Sequence, residues 1–132
     1  MTTAGSVNFA GFFRELRHGH DNGPSLIEAV GVEGAASAEE ARIVSYLQSA
    51  TTLAATTAKV GDFINPEVGE IATASIRTDG RWAWPDDLAY YISTYHVDLP
   101  PEMLENLREN SFEAPAVPEA RLSEIVSLLL DA

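Results

Sequence analysis

A chain of 132 residues, 45% of them hydrophobic, is the length of one ordinary domain and carries enough apolar mass to bury a core without covalent staples. Twenty acidic residues against 8 basic ones give a formal net charge of -12, which disfavours nucleic acid and anionic lipid, since affinity for either rests on phosphate neutralisation by Lys and Arg. Cysteine is absent, so disulfide and thiolate chemistry are excluded and a reducing compartment is the default.

Phe9, Phe12, Phe13 and Leu16 recur at three- and four-residue spacing, which predicts a first helix with one buried face. Gly19, Gly23 and Pro24 break it, and Pro24 opens a short second helix through Leu26, Ile27 and Val30, closed by Gly31. Ser37-Ala38-Glu39-Glu40 reads as a near capping box for a third helix through Ile43, Val44, Tyr46 and Leu47. The β-branched threonines of residues 51 to 58 suit a strand better than a helix. A loop or single helical turn over Gly61 to Pro66 leads to a second strand, Ile71 to Arg77.

Asp79-Gly80 is a two-residue turn signal of the type I′ kind, which makes Arg81 to Trp84 a third strand antiparallel to the second. With those two residues as the loop, the pairs are Thr78 with Arg81, Arg77 with Trp82, Ile76 with Ala83 and Ser75 with Trp84. Arg77 then stacks on Trp82, and the two tryptophans share one face. Either the sheet is covered on both sides or the tryptophans face a partner. Pro85-Asp86-Asp87 opens a fourth helix, with Leu88, Tyr91, Ile92 and Tyr95 on its core side and Tyr90 and Thr94 on the other. Pro100-Pro101-Glu102 starts a fifth through Met103, Leu104 and Leu107, and after Pro115 and Pro118 a last helix runs from Glu119 to Leu130. The expected fold is α+β: a single domain over residues 1–132, with a small antiparallel sheet of about three strands packed with five or six helices.

Few residues point to chemistry. His18-Gly19-His20-Asp21 is the one cluster of metal-ligand types, but glycine leaves its geometry undefined and no cysteine completes a set, so a polar loop is the expectation and no metal or cofactor is assigned. Asp86 and Asp87 follow a proline at a helix start, where capping and the helix dipole already account for them. No serine sits in a nucleophile elbow. The longest apolar run, near Leu128 to Leu130, is far too short for a membrane span, and Met1 to Ser6 lacks the features of a signal peptide, so a cytoplasmic protein is expected.

The segment Thr78-Asp79-Gly80-Arg81-Trp82-Ala83-Trp84-Pro85-Asp86-Asp87-Leu88-Ala89-Tyr90-Tyr91, continued by Tyr95-His96-Val97 and Leu99-Pro100 and reaching back to Tyr46-Leu47, resembles a group of small acidic actinobacterial proteins of unassigned function. By analogy with small acidic proteins of bacterial toxin systems, the resemblance implies an immunity-type protein that binds and blocks a cognate toxin. It carries no catalytic residue. The leading expectation is therefore a non-enzymatic binding domain for a basic protein, with Trp82, Trp84, Asp86, Asp87, Tyr90, Glu102 and Glu105 as the binding residues. A homo-oligomeric scaffold of the same chain is the alternative, and a small metal-dependent enzyme using His18 and His20 is the third.

Overall fold

The computed structural model describes residues 7–16, 19, 21–31 and 39–131, the side chains of 129–131 excepted. Its elements are β1 (Asn8–Phe9), α1 (Leu26–Ala29), α2 (Glu40–Ser49), β2 (Thr51–Ala54), β3 (Lys59–Gly61), a 3-10 turn (Pro66–Val68), β4 (Glu70–Thr73), β5 (Ile76–Thr78), β6 (Trp82–Pro85), α3 (Leu88–Tyr95), α4 (Pro101–Glu109) and α5 (Glu119–Asp131). The class is α+β, but the sheet departs from the expected one. Four strands in the order β1-β6-β5-β2 form a mixed sheet, with β1 parallel to β6 and the other pairs antiparallel, and β3 and β4 form a separate antiparallel pair. A single three-stranded antiparallel sheet is thus overturned, and five helices account for the α layer among the described residues.

Three local corrections explain the difference. The aromatic run near the start is not a helix. Asn8 N–H donates to Arg81 O at 3.0 Å and Ala10 N–H to Ala83 O at 3.1 Å, so the segment is stitched to β6 as a parallel edge. Gly11 then takes a φ of 84°, which ends the strand and turns Phe12 and Phe13 inward. Helical spacing of the phenylalanines reflects burial on either side of this turn.

The expected strand over residues 71 to 77 is two strands in different sheets, broken at Ala74-Ser75. Ser75 is buried there and its hydroxyl, 2.7 Å from Thr73 Oγ1, accepts from Thr56 N–H, so side-chain bonds replace the ladder at the break.

The hairpin is present, but its register is displaced from the expected one. Ile76 pairs with Pro85, Arg77 with Trp84 and Thr78 with Ala83, while Asp79 N–H donates to Trp82 O at 3.2 Å. Gly80 and Arg81 are therefore the central residues, and only Gly80 has a positive φ, 97°, the pattern of a type II′ turn with glycine first. Arg77 lies opposite Trp84 rather than Trp82. Its guanidinium bonds Asp86 Oδ1 at 2.6 Å and Ala50 O at 2.7 Å, in place of the expected stacking on Trp82.

The core gathers on one side of β6. Trp84, Tyr46, Leu47, Leu88, Tyr91, Met103 and Leu107 are among its largest fully buried members, and Trp84 Nε1 donates to Leu47 O across the strand–α2 contact. All four residues of β6 are buried, which answers the question left by the tryptophans: both faces of the strand are covered from within the chain. On the hairpin side, α5 contacts β2, buries Ile125, and sends Arg121 Nε to Gly80 O at 2.9 Å.

Gly11 tests this architecture. A methyl group there meets Pro85 Cδ at 3.1 Å and Leu88 Cβ at 3.2 Å, on a backbone that already disfavours side chains. Gly11→Ala is expected to cost about 1–3 kcal/mol in urea denaturation, against about half a kcal/mol or less for an exposed control substitution.

Candidate functional site

The two tryptophans do not present themselves to a partner: Trp84 is 1% exposed and Trp82 8%. Period-two alternation puts them on one face, and that face is the one packed on α2. Asp86 is tied to Arg77, and Asp87 is fully buried at the start of α3, where its backbone carbonyl accepts from Tyr91 N–H. Tyr90 is partly exposed with its hydroxyl held by Asp62 at 2.7 Å. Of the seven expected binding residues, only Glu102 and Glu105 are exposed. His18 and His20 lie outside the described residues, and among those described no group of His, Asp and Glu is arranged to hold a metal ion.

Most other carboxylates that could be suspected of chemistry already have internal donors. Asp62 accepts from Tyr90 and Tyr95 hydroxyls at Oδ2 and from Ile64 and Asn65 N–H at Oδ1, all within 2.8 Å. Burial opposes ionisation of Asp62, but these four donors outweigh it and hold its carboxyl below the usual aspartate range. Tyr91 completes the grip on this loop by accepting from Phe63 N–H at 2.9 Å. Glu15, on the same cleft of about 460 Å³, accepts from Ser25 Oγ at 2.6 Å and Leu26 N–H at 2.7 Å. Desolvation raises its pKa, yet those bonds bring it down to about 2. Carboxylates so saturated are poor bases and poor acids, which assigns Asp62 and Glu15 to loop closure.

A different arrangement occurs on α4. The helix buries Met103, Asn106 and Leu107 as one stripe and leaves Glu102, Glu105 and Glu109 flanking it. With Arg81 and Pro101 these residues line an open cleft of about 420 Å³. Three carboxylates face one guanidinium there, Arg81 standing 3.4 Å from Glu109 Oε1 with both side chains more than half exposed. Arg108 is directed away, into a two-point contact with Glu39 at 2.8 and 3.2 Å, and reaches Glu105 only at 4.0 Å.

Beneath the cleft lies the turn aspartate. Asp79, 5% exposed, accepts from Tyr46 hydroxyl at 2.6 Å, Asn106 Nδ2 at 2.7 Å, Trp82 N–H at 2.8 Å and Arg81 N–H at 2.9 Å. Asn106 is thus fixed with its amide nitrogen toward Asp79, and its Oδ1 is buried without a hydrogen-bond partner. Sequence reasoning missed Asn106, Glu109 and Arg81. The spacing 102, 106, 109 marks one helix face and was the available signal; the carbonyl's isolation had none.

Comparison with known proteins adds no outside constraint: no protein-family model, curated protein or solved structure matches the chain.

All four tyrosines are held above the ordinary phenol range. Burial and then Asp79 do this for Tyr46, burial and then Asp62 for Tyr90, and the hydrogen bond to Asp62 ahead of burial for Tyr95; for Tyr91, burial leads and pushes the value to about 12. A phenol whose folded pKa is raised contributes stability below about pH 10 that is lost as pH rises through the folded value. Glu15, lowered to about 2, contributes stability that is present above about pH 4.5 and lost as pH falls toward 2, and Asp62, also lowered, contributes stability that is lost as pH falls below the ordinary aspartate range. Spectrophotometric titration should accordingly find no phenolate near pH 10 in the folded protein and a coincident onset of ionisation and unfolding above it. A tyrosine that titrates ordinarily while far-ultraviolet circular dichroism stays native would show its bond is not held. Asp79→Ala, which strands four donors, is expected to cost about 3 kcal/mol or more by urea denaturation.

Proposed function

We propose that this protein is a non-enzymatic binding domain whose partner is a basic protein, docked on the exposed carboxylates of α4. The observation that carries the reading is the contrast between carboxylates. Asp62, Asp79, Asp86 and Glu15 are held by close internal donors, whereas Glu102, Glu105 and Glu109 stand exposed on one cleft, where Glu105 and Glu109 meet only the exposed guanidinium groups of Arg108 at 4.0 Å and Arg81 at 3.4 Å. Such a surface attracts a cationic partner over distance and orients it on approach, on a chain whose net charge is -12. An immunity-type inhibitor of a basic toxin is the concrete form of this function. The tryptophans are left out of the interface, since both are core residues.

A self-associating scaffold is the second reading, favoured by Phe63 and Val68, which stand 45% and 50% exposed on the excursion between β3 and β4. Sedimentation and association kinetics decide between the two. With a basic protein recovered from the native host, Glu102→Lys together with Glu105→Lys is expected to slow association at low salt by about tenfold and to flatten its salt dependence, leaving urea stability unchanged. Failure to recover any basic partner, with the purified chain sedimenting as a dimer, would put the scaffold reading in its place.

A further inference from the structure

We infer that Asn22 is a site of spontaneous covalent modification, where the backbone nitrogen of Gly23 displaces the side-chain amide and water opens the resulting ring to aspartate and isoaspartate. Asn22 lies exposed in the turn that leads into α1, and it is followed by glycine, whose missing Cβ leaves its backbone nitrogen uncrowded. Among the described residues no group hydrogen-bonds the Asn22 side chain or the Gly23 N–H, so both reacting groups are free to meet. The step is intramolecular, and neighbours in sequence need only a rotation to reach each other. The fold protects the other places where the same ring could form. Asp79 also precedes a glycine, but it is buried under four donors, and Gly80 N–H is bonded to Thr78 Oγ1 at 3.0 Å. Asn106 and Asn110 give their amide nitrogens to Asp79 and the Tyr46 hydroxyl. Asn65 precedes Pro66, which has no N–H to lose, and Asn8 is fixed in β1 ahead of the bulky Phe9.

The atoms balance with water as the only co-reactant. Gly23 N gives up its proton and bonds Asn22 Cγ, the Cγ–Nδ2 bond breaks, and Nδ2 leaves as ammonia with that proton. Water then cleaves the ring at either carbonyl. Opening at Cγ restores the main chain with an aspartate at position 22, whereas opening at the backbone carbonyl leaves the main chain running through the side chain, one carbon longer. Either product adds a negative charge beside Asp21. The longer one alters the chain just before Pro24, whose carbonyl accepts Arg14 N–H at 3.0 Å, and Ser25, whose hydroxyl donates to Glu15 at 2.6 Å. The modification therefore falls where this loop is tied back to the fold.

Peptide mapping by mass spectrometry of the folded full chain, aged in mildly alkaline buffer made with oxygen-18 water, tests the assignment. A synthetic peptide of residues 21–26, aged alongside, serves as the clock. Over the time in which the peptide converts, Asn22 of the protein is expected to take up one labelled oxygen and to give both an aspartate and an isoaspartate product. It should react about tenfold or more faster than Asn8, Asn65, Asn106 or Asn110. Gly23→Val, which crowds the attacking nitrogen, should slow conversion by about tenfold. Asn22→Gln, whose ring would be one atom larger, should slow it at least as much, and it leaves the turn backbone untouched should Gly23→Val fail to fold. Asn22 that stays intact while the peptide converts, a product containing aspartate alone, another asparagine converting as fast, or a variant that ages like wild type would overturn the inference.

Discussion

The carboxylate of Asp79 is the constraint on which the rest of this structure depends. Its Oδ1 closes the hairpin by accepting the N–H groups of Arg81 and Trp82, and its Oδ2 takes the hydroxyl of Tyr46 from α2 and the amide of Asn106 from α4. A buried acceptor with four donors from three elements is worth far more than a turn residue, because each donor would be orphaned by its loss. It locks the strand register, and the register decides which side chains of β6 face α2. Asn110 Nδ2 extends the network by bonding the Tyr46 hydroxyl at 2.8 Å, so the C-terminus of α4 is anchored to the same point.

An acidic protein of this size has to house many carboxylates, and here the structure sorts them by donor supply. Internal donors convert Asp62 into the clasp of a loop and Asp86 into the counter-ion of Arg77, whose other nitrogen caps the end of α2 at Ala50. His96, in the left-handed region at the end of α3, places its Nδ1 2.8 Å from Glu40 at the start of α2, joining two helix termini. The acids that remain exposed on α4 are then distinguishable from the rest by geometry, although composition treats all of them alike.

Helices with local signals were readable from the sequence. Residues 101 to 109 and 119 to 131 start at Pro or Glu after a proline break and repeat apolar positions at helical spacing, and both are helices. β1 was not readable, since a two-residue parallel strand has no local signature and its phenylalanines happen to fall at helical intervals. The hairpin register failed for a related reason. Asp-Gly satisfies two adjacent turn placements, and the choice is made by Tyr46 and Asn106, which lie far away in the sequence. Alternation correctly put Trp82 and Trp84 on one face but could not say that α2 covers it. Glu102 and Glu105 were legible because an amphipathic helix declares its wet side; the unbonded carbonyl of Asn106 was not, because its isolation depends on Asp79 holding the other end of the amide.

The parallel edge at Asn8–Phe9 has a consequence for how this chain is made. These residues leave the ribosome before the strand they pair with, Trp82–Pro85, which is synthesised only after α1, α2 and four further strands. Until then Phe9, Phe12 and Phe13 have no β6 or α3 against which to hide, and the nascent chain carries an uncovered aromatic segment while the intervening residues are made. Vectorial synthesis therefore runs against the order of assembly: of the two strands in the parallel pair, the one made first must wait for the other.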